Sequence, residues 1–250
     1  MDADDYLSED AFEIFKNTID SHPSQVMLFG YTSVLDGTLS KISESDLVQN
    51  RYYSFSKMDD RVNMIANIYF LNNLYSVWNK VYLRNFIIEK NINFPNTRTA
   101  QDAFFNIDVF KKIETFNWIS DHLYFYIVNR KNSNQNTAKS KFLDEYKLLQ
   151  QLELLTNIDL KSNNVNLFIN SERLRIANNE IKFLYRQDPR FVKEAFSNNK
   201  QLYSVIQKID FKTFLKSRIQ FRNLTYYILL KSKPGLILYT QLLKLKNLKN

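Results

Sequence analysis

The sequence predicts an α/β domain over residues 1–137, followed by a mainly helical, basic region over residues 138–250. Three observations predict it. A helix-forming stretch at 8–21 runs into the apolar run "QVMLFGY" at 25–31, the helix-then-strand order of layered α/β domains. A second run, "HLYFYIV" at 122–128, has the aromatic and β-branched content of a strand. Beyond the polar loop "NRKNSNQNT" at 129–137, apolar residues recur at helical spacing.

The first helix has Ser8 as a candidate N-cap, with Glu9 and Asp10 suiting the positive end of its dipole. Leu7 and Phe12 stand at hydrophobic-staple positions, and Phe12, Phe15 and Ile19 line one face. His22-Pro23 breaks the helix before the strand. Residues 36–57 are polar and ambiguous, and a helix follows over 58–73. The stretch 75–95 reads as a strand or turn leading into a short helix. A helix over 100–113 turns Ala103, Phe104, Ile107 and Phe110 inward. In the second region Phe142, Tyr146, Leu149, Leu152 and Leu155 share a helical face. Leu202, Val205, Ile206 and Ile209 do the same, and Pro234-Gly235 interrupts before a last helical piece.

Composition excludes several chemistries. With 44% apolar and 15% aromatic residues, the 250-residue chain can bury a sizeable core. It has no cysteine, so disulfides and thiolate metal sites are excluded, which suits a reducing compartment. Two histidines argue against a zinc cage and a histidine-based triad; His22 reads as a turn residue and His122 as a structural one. Three glycines, Gly30, Gly37 and Gly235, cannot build a phosphate-cradling loop. No apolar run approaches the roughly 18 residues a membrane span needs.

The net charge of +8 is local: residues 201–250 carry ten Lys/Arg against one acid, Asp210. That basic, apolar tail suggests a peripheral surface for anionic lipid at the inner face of a membrane, on a cytoplasmic protein. Charge-dependent flotation with anionic liposomes is the test of that expectation; the plainer alternative is a helical cap on the core. Nucleic acid is the less favoured partner, because the basic residues lie in no recognised nucleic-acid module.

The acidic start, "MDADDYLSED", raises the question of a metal. In an extended segment residues i and i+2 point to one side, so Asp2 and Asp4 would converge on one divalent cation. Carboxylate oxygens suit Mg²⁺ or Mn²⁺, which often complete their shell with substrate phosphates. Alone, such a cluster is more often solvated than functional.

Its context resembles a known family. "MDADDYLSEDAFEIF" is similar to the stretch around the DXD motif of family 2 glycosyltransferases, inverting enzymes of the GT-A (Rossmann-like) fold. "SVWNKVYLRNFIIEKNINFP" at 76–95 resembles that family's Trp-Asn-Lys-Leu-Tyr segment and its run toward Phe-Pro. "TAQDAFFNIDVF" at 99–110 sits where the family has a Glu-Asp-x-x-Phe element, and "LYFYIVNRKNSNQNT" at 123–137 resembles its strand and Arg-x-Asn-Ser loop.

The resemblance implies a glycosyltransferase that moves a sugar from a nucleotide-sugar, a UDP-sugar, to a cell-surface or lipid-linked glycan. It puts Asp2 near the nucleotide, Asp4 on the cation that bridges the diphosphate, and Asp5 in an orienting role. Asp102 matches the general base, with Gln101 replacing the family's preceding glutamate; its other reading is a helix-dipole residue. Trp78, Asn79 and Lys80 are acceptor-side candidates, with Trp78 also readable as core, and Arg130 and Lys131 are candidates for a diphosphate clamp. In that family the DXD closes a nucleotide-binding half. The resemblance therefore implies the C-terminal part of such a domain, inactive alone and partnered by a separately encoded N-terminal half. The rival reading is a non-catalytic remnant or interaction protein.

Overall fold

The long apolar run after the first helix becomes one of two central parallel strands, around which four short antiparallel strands are arranged. The computed structural model describes residues 2–46, 49–128, 140–156, 162–188, 192, 198–210, 235, 238 and 241. Arg130, Lys131, the polar loop and most of the basic tail lie outside the described residues. The chain divides into two compact units, Met1–Thr137 and Ala138–Asn250.

In the first unit the order is β1 (Tyr6–Leu7), α1 (Ala11–Ser21), β2 (Val26–Leu35), β3 (Lys41–Glu44), β4 (Arg51–Ser54), α2 (Met58–Phe70), β5 (Lys80–Tyr82), α3 (Arg84–Glu89), α4 (Gln101–Lys112) and β6 (Thr115–Val128). β2 and β6 pair in parallel from Val26↔Phe116 to Leu35↔Val128. β6 is flanked by β4 along Thr115–Trp118 and by β1 at Tyr124 and Phe125. β2 is flanked by β5 along Val26–Leu28 and by β3 along Thr32–Val34. Burial from both sides is why β2 reads as a nearly continuous apolar run rather than an alternating one.

The register slips beside Gly30, where an added Cβ would lie 3.0 Å from both the Asp121 carbonyl and the His122 ring. Glycine permits that approach, and His122 Nε2 then lies 2.9 Å from the Ser45 carbonyl, the structural role expected of it.

Several expectations need adjustment. α1 begins at Ala11 with Asp10 as N-cap, not Ser8, because Ser8 is tied to the sheet through its N–H to the Leu123 carbonyl at 2.9 Å. Ala11 and Phe15 are the buried residues of α1, whereas Phe12 is 75% exposed, so the staple with Leu7 does not form. The ambiguous segment 36–57 contains β3 and β4, edge strands with mostly exposed residues whose pattern carries little apolar signal. In α4 the inward set Ala103, Phe104, Ile107 and Phe110 is buried as the spacing predicts.

The second unit contains α5 (Phe142–Thr156), α6 (Asn163–Gln187) and α7 (Lys200–Gln207) among its described residues. Leu149, Leu152 and Leu155 of α5 pack inward, as do Leu202, Val205 and Ile206 of α7. The fully buried Glu172 is bound by Arg175 at 2.6 Å, and Arg175 also reaches Glu145 at 3.0 Å. No described helix is long and apolar enough to cross a membrane.

Candidate active site

The acidic start is a turn, not an extended segment. The Asp5 N–H donates to the Asp2 carbonyl at 3.3 Å, so strand alternation does not aim Asp2 and Asp4 together. The two remain exposed, while Asp5 is buried. Asp5 Oδ2 accepts from the Tyr124 hydroxyl at 2.8 Å, and Oδ1 accepts from the Ile127 N–H at 3.0 Å. The Tyr124 hydroxyl oxygen in turn accepts from the Asp2 N–H at 3.2 Å. Burial pushes the Tyr124 hydroxyl well above the ordinary tyrosine range.

Asp102 sits in the first turn of α4, behind Ala100, which takes a left-handed conformation at φ 59° to start the helix. The carboxylate is half-buried beside the Val77 backbone, whose N–H favours its charged form. Burial raises its pKa above the usual aspartate value; the Lys80 charge opposes that rise and the Asp2 charge adds to it. The charge of Asp2, distant in the chain, thus reaches Asp102.

Lys80 lies beneath them, buried. Its ammonium donates to the Asn73 carbonyl at 2.7 Å, the Ser76 carbonyl at 2.5 Å and Asn79 Oδ1 at 3.0 Å. Burial lowers its pKa to about 7, against the opposing pull of Asp102. Asn79 is fully buried; it accepts from Ser76 Oγ at 2.9 Å and donates to Asn73 Oδ1. Asn106, fully buried on α4, donates to the Leu74 and Ser76 carbonyls, both at 2.8 Å, and accepts from the Tyr82 hydroxyl at 2.7 Å. These bonds fold the 71–79 loop into a fixed shape, so Asn79 and Lys80 work from within the protein.

Trp78 stands on the wall beside this network. It stacks on Tyr124 with centroids 4.6 Å apart and on Tyr126 at 5.3 Å, and meets Tyr31 edge-on at 4.8 Å. It is half-buried, so part of the indole belongs to the core and part remains at the surface.

The structure therefore brings Asp2, Lys80 and Asp102 together, seats Trp78 on the adjoining aromatic wall, and turns Asp5 inward. Sequence reasoning missed Tyr124, Asn73 and Asn106. Asn106 had a signal: it is a polar residue in the middle of the inward face of a helix, among Ala103, Phe105 and Ile107.

Chains of known structure share this fold. A crystal structure of S. aureus TarS 1-349 in complex with UDP-GlcNAc matches 92% of the chain at 17% identity with a TM-score of 0.55. A second structure of TarS 1-349 matches 92% at 16% identity with a TM-score of 0.51. The fold is GT-A-like, that of a glycosyltransferase. The chain spans 65% of the TarS chain, and at this identity the likeness is one of fold. No family model and no curated protein matches.

Carboxylate oxygens are the donors that a hard cation takes. Asp2 and Asp4 present carboxylates at the surface, whereas both oxygens of Asp5 are engaged inside. Among the described residues no three His, Asp or Glu side chains form a metal cage, so substrate phosphates and water would supply most of such an ion's shell.

Proposed function

We propose that this chain is the catalytic part of a family 2-type glycosyltransferase that moves a sugar from a nucleotide-sugar to a hydroxyl of a glycan or lipid-linked acceptor, with inversion. What supports the reading is the half-buried Asp102, within electrostatic reach of Lys80 and Asp2, in a fold shared with a protein crystallised with UDP-GlcNAc. Asp102 is the general base. The acceptor oxygen attacks the anomeric carbon, the bond from that carbon to the diphosphate breaks, and the acceptor proton passes to Asp102. A carboxylate raised by burial accepts that proton better than an exposed one, because its affinity lies nearer neutral pH.

Asp2 and Asp4 are the residues that would hold Mg²⁺ or Mn²⁺, and such an ion would offset the negative charge of the leaving nucleoside diphosphate. Trp78 offers its exposed edge to the acceptor, while Asn79 and Lys80 fix the loop that carries it. A UDP-sugar is the donor in this reading, and the complete transfer reaction is proposed for the chain together with the nucleotide-binding half that the resemblance implies.

The test is calorimetric titration of the full chain with UDP-GlcNAc, with and without Mn²⁺. Metal-dependent binding that is lost in Asp2→Ala and kept in Asp102→Asn is expected. Binding indifferent to both Mn²⁺ and Asp2 would overturn the assignment.

A further inference from the structure

The third aspartate of the acidic turn is placed differently from the first two. Asp5 is 6% exposed and carries a hydrogen bond on each carboxylate oxygen. Both partners come from β6, the long central strand, and the sequence separation from Asp5 to Tyr124 is 119 residues. The Tyr124 hydroxyl has one proton, which it gives to Asp5, and a lone pair that receives the Asp2 N–H. A single side chain therefore joins the two ends of the turn to the strand. Just beyond, β1 pairs with β6 through Tyr6↔Phe125 and Leu7↔Tyr124, which fixes where the turn begins and ends along the sheet.

We propose that Tyr124 and Asp5 are positioning residues that clamp the 2–5 turn onto β6 and so hold the Asp2 carboxylate beside Asp102. Their role is distinct from ligation: Asp5 spends both oxygens inside the protein, and the Tyr124 hydroxyl is buried behind the turn. Without the clamp, the turn loses the hydrogen bonds that Asp5 and Asp2 make to Tyr124 and Ile127 of β6. With both ties from the turn to β6 gone, Asp2 loses its fixed relation to α4. Trp78 is part of the same arrangement. It stacks on the Tyr124 ring at 4.6 Å, so the proposed acceptor wall and the acidic turn are set by opposite ends of one tyrosine. The functional consequence rests on the glycosyltransferase reading; the clamp itself does not.

The experiment is amide hydrogen exchange, read by NMR on the full chain, for the parent, Tyr124→Phe, Asp5→Asn and the double variant. Tyr124→Phe keeps the ring stacked on Trp78 and deletes only the hydroxyl. Exchange about tenfold faster at the Asp5, Tyr6 and Leu7 amides is expected, with β2 and the rest of β6 unchanged, because the clamp opens locally. The double variant should be looser at the turn than either single variant but by less than the sum of the two, since the residues share one bond while Asp5 also holds the Ile127 N–H and Tyr124 the Asp2 N–H. Unchanged exchange at the turn in Tyr124→Phe would overturn the proposal. So would loss of protection throughout β2 and β6, which would make Tyr124 a core residue and nothing more. Mn²⁺ relaxation measured alongside keeps the two readings apart. Broadening of the Asp102 amide in the parent that weakens in Tyr124→Phe links the clamp to the site. Absence of broadening in the parent counts against the metal and donor reading, while the exchange result still decides the clamp.

Discussion

Opposing influences act on Asp102, and their balance determines what it can do. Burial and the Asp2 charge hold the proton on, while the Lys80 ammonium and the Val77 N–H pull it off. Asp102→Asn keeps the shape and the Val77 contact region but cannot accept a proton. If Asp102 is the base, kcat of the enzyme completed by its nucleotide-binding half falls by about 10²–10⁴-fold while donor KM changes little; unchanged turnover would remove it from the reaction. The same variant reports on the pair without any assay of activity. Asp102 supports the charge of Lys80, so its loss should move the Lys80 pKa below its value of about 7. Nitrogen-detected NMR of the Lys80 ammonium reads that shift directly. Trp78 is a second residue that fits both of its readings, stacked on Tyr124 and Tyr126 yet only half-buried.

At the scale of elements, the site depends on a loop held by α4. Residues 71–79 contain no helix or strand, so their backbone groups need partners from elsewhere. Asn106 supplies two of them, Lys80 supplies three bonds of its own, and the Ser76 carbonyl accepts from both. Asn106→Ala strips the Leu74 carbonyl of this donor and leaves the Tyr82 hydroxyl without its acceptor. A loss of about 1–3 kcal/mol is expected for each buried group left unpaired, read from the urea midpoint. A midpoint equal to that of the parent would show that the loop holds itself. α4 was predictable from its apolar spacing alone, and its start and end agree with that reading to within one residue. β3 and β4 were not predictable, because a strand that pairs along one edge with exposed side chains has no burial to write into its sequence.

For the molecule as a whole, the buried lysine sets a pH dependence. In the unfolded chain a lysine titrates near 10.5, whereas folded Lys80 does so at about 7. Between those values the unfolded state binds more protons than the folded one, so stability rises with pH from about 7 toward 10. Tyr82 and Tyr124 work in the opposite direction at higher pH: both keep their protons beyond the point where unfolded tyrosines ionise near 10, so stability falls again above it. Asp102 acts at the acid end. Its folded pKa is raised above 3.8, so its contribution is present at low pH and is lost as pH rises through the folded value. Thermal melts from pH 6 to pH 10 should show the rise, and Lys80→Met should flatten it. A parent melting temperature that falls steadily over this range would contradict a depressed Lys80.

By itself the sequence determined the α/β class of the first region, its inward α4 face and β2 run, the helical periodicity of the second region, and the residue types available for chemistry. Those properties are local: period, composition and turn residues act over a few neighbours and need no knowledge of the rest of the chain. It also determined, through the absence of cysteine and the scarcity of glycine and histidine, which chemistries were closed. The tertiary structure alone decided that Asp5 faces inward, that Asn79 and Lys80 brace a loop from beneath, and that Asp2 and Asp102 share one field. An aspartate looks the same in sequence whether its partner is water or a tyrosine 119 residues away. What separates the two is desolvation, and desolvation exists only once distant segments have packed.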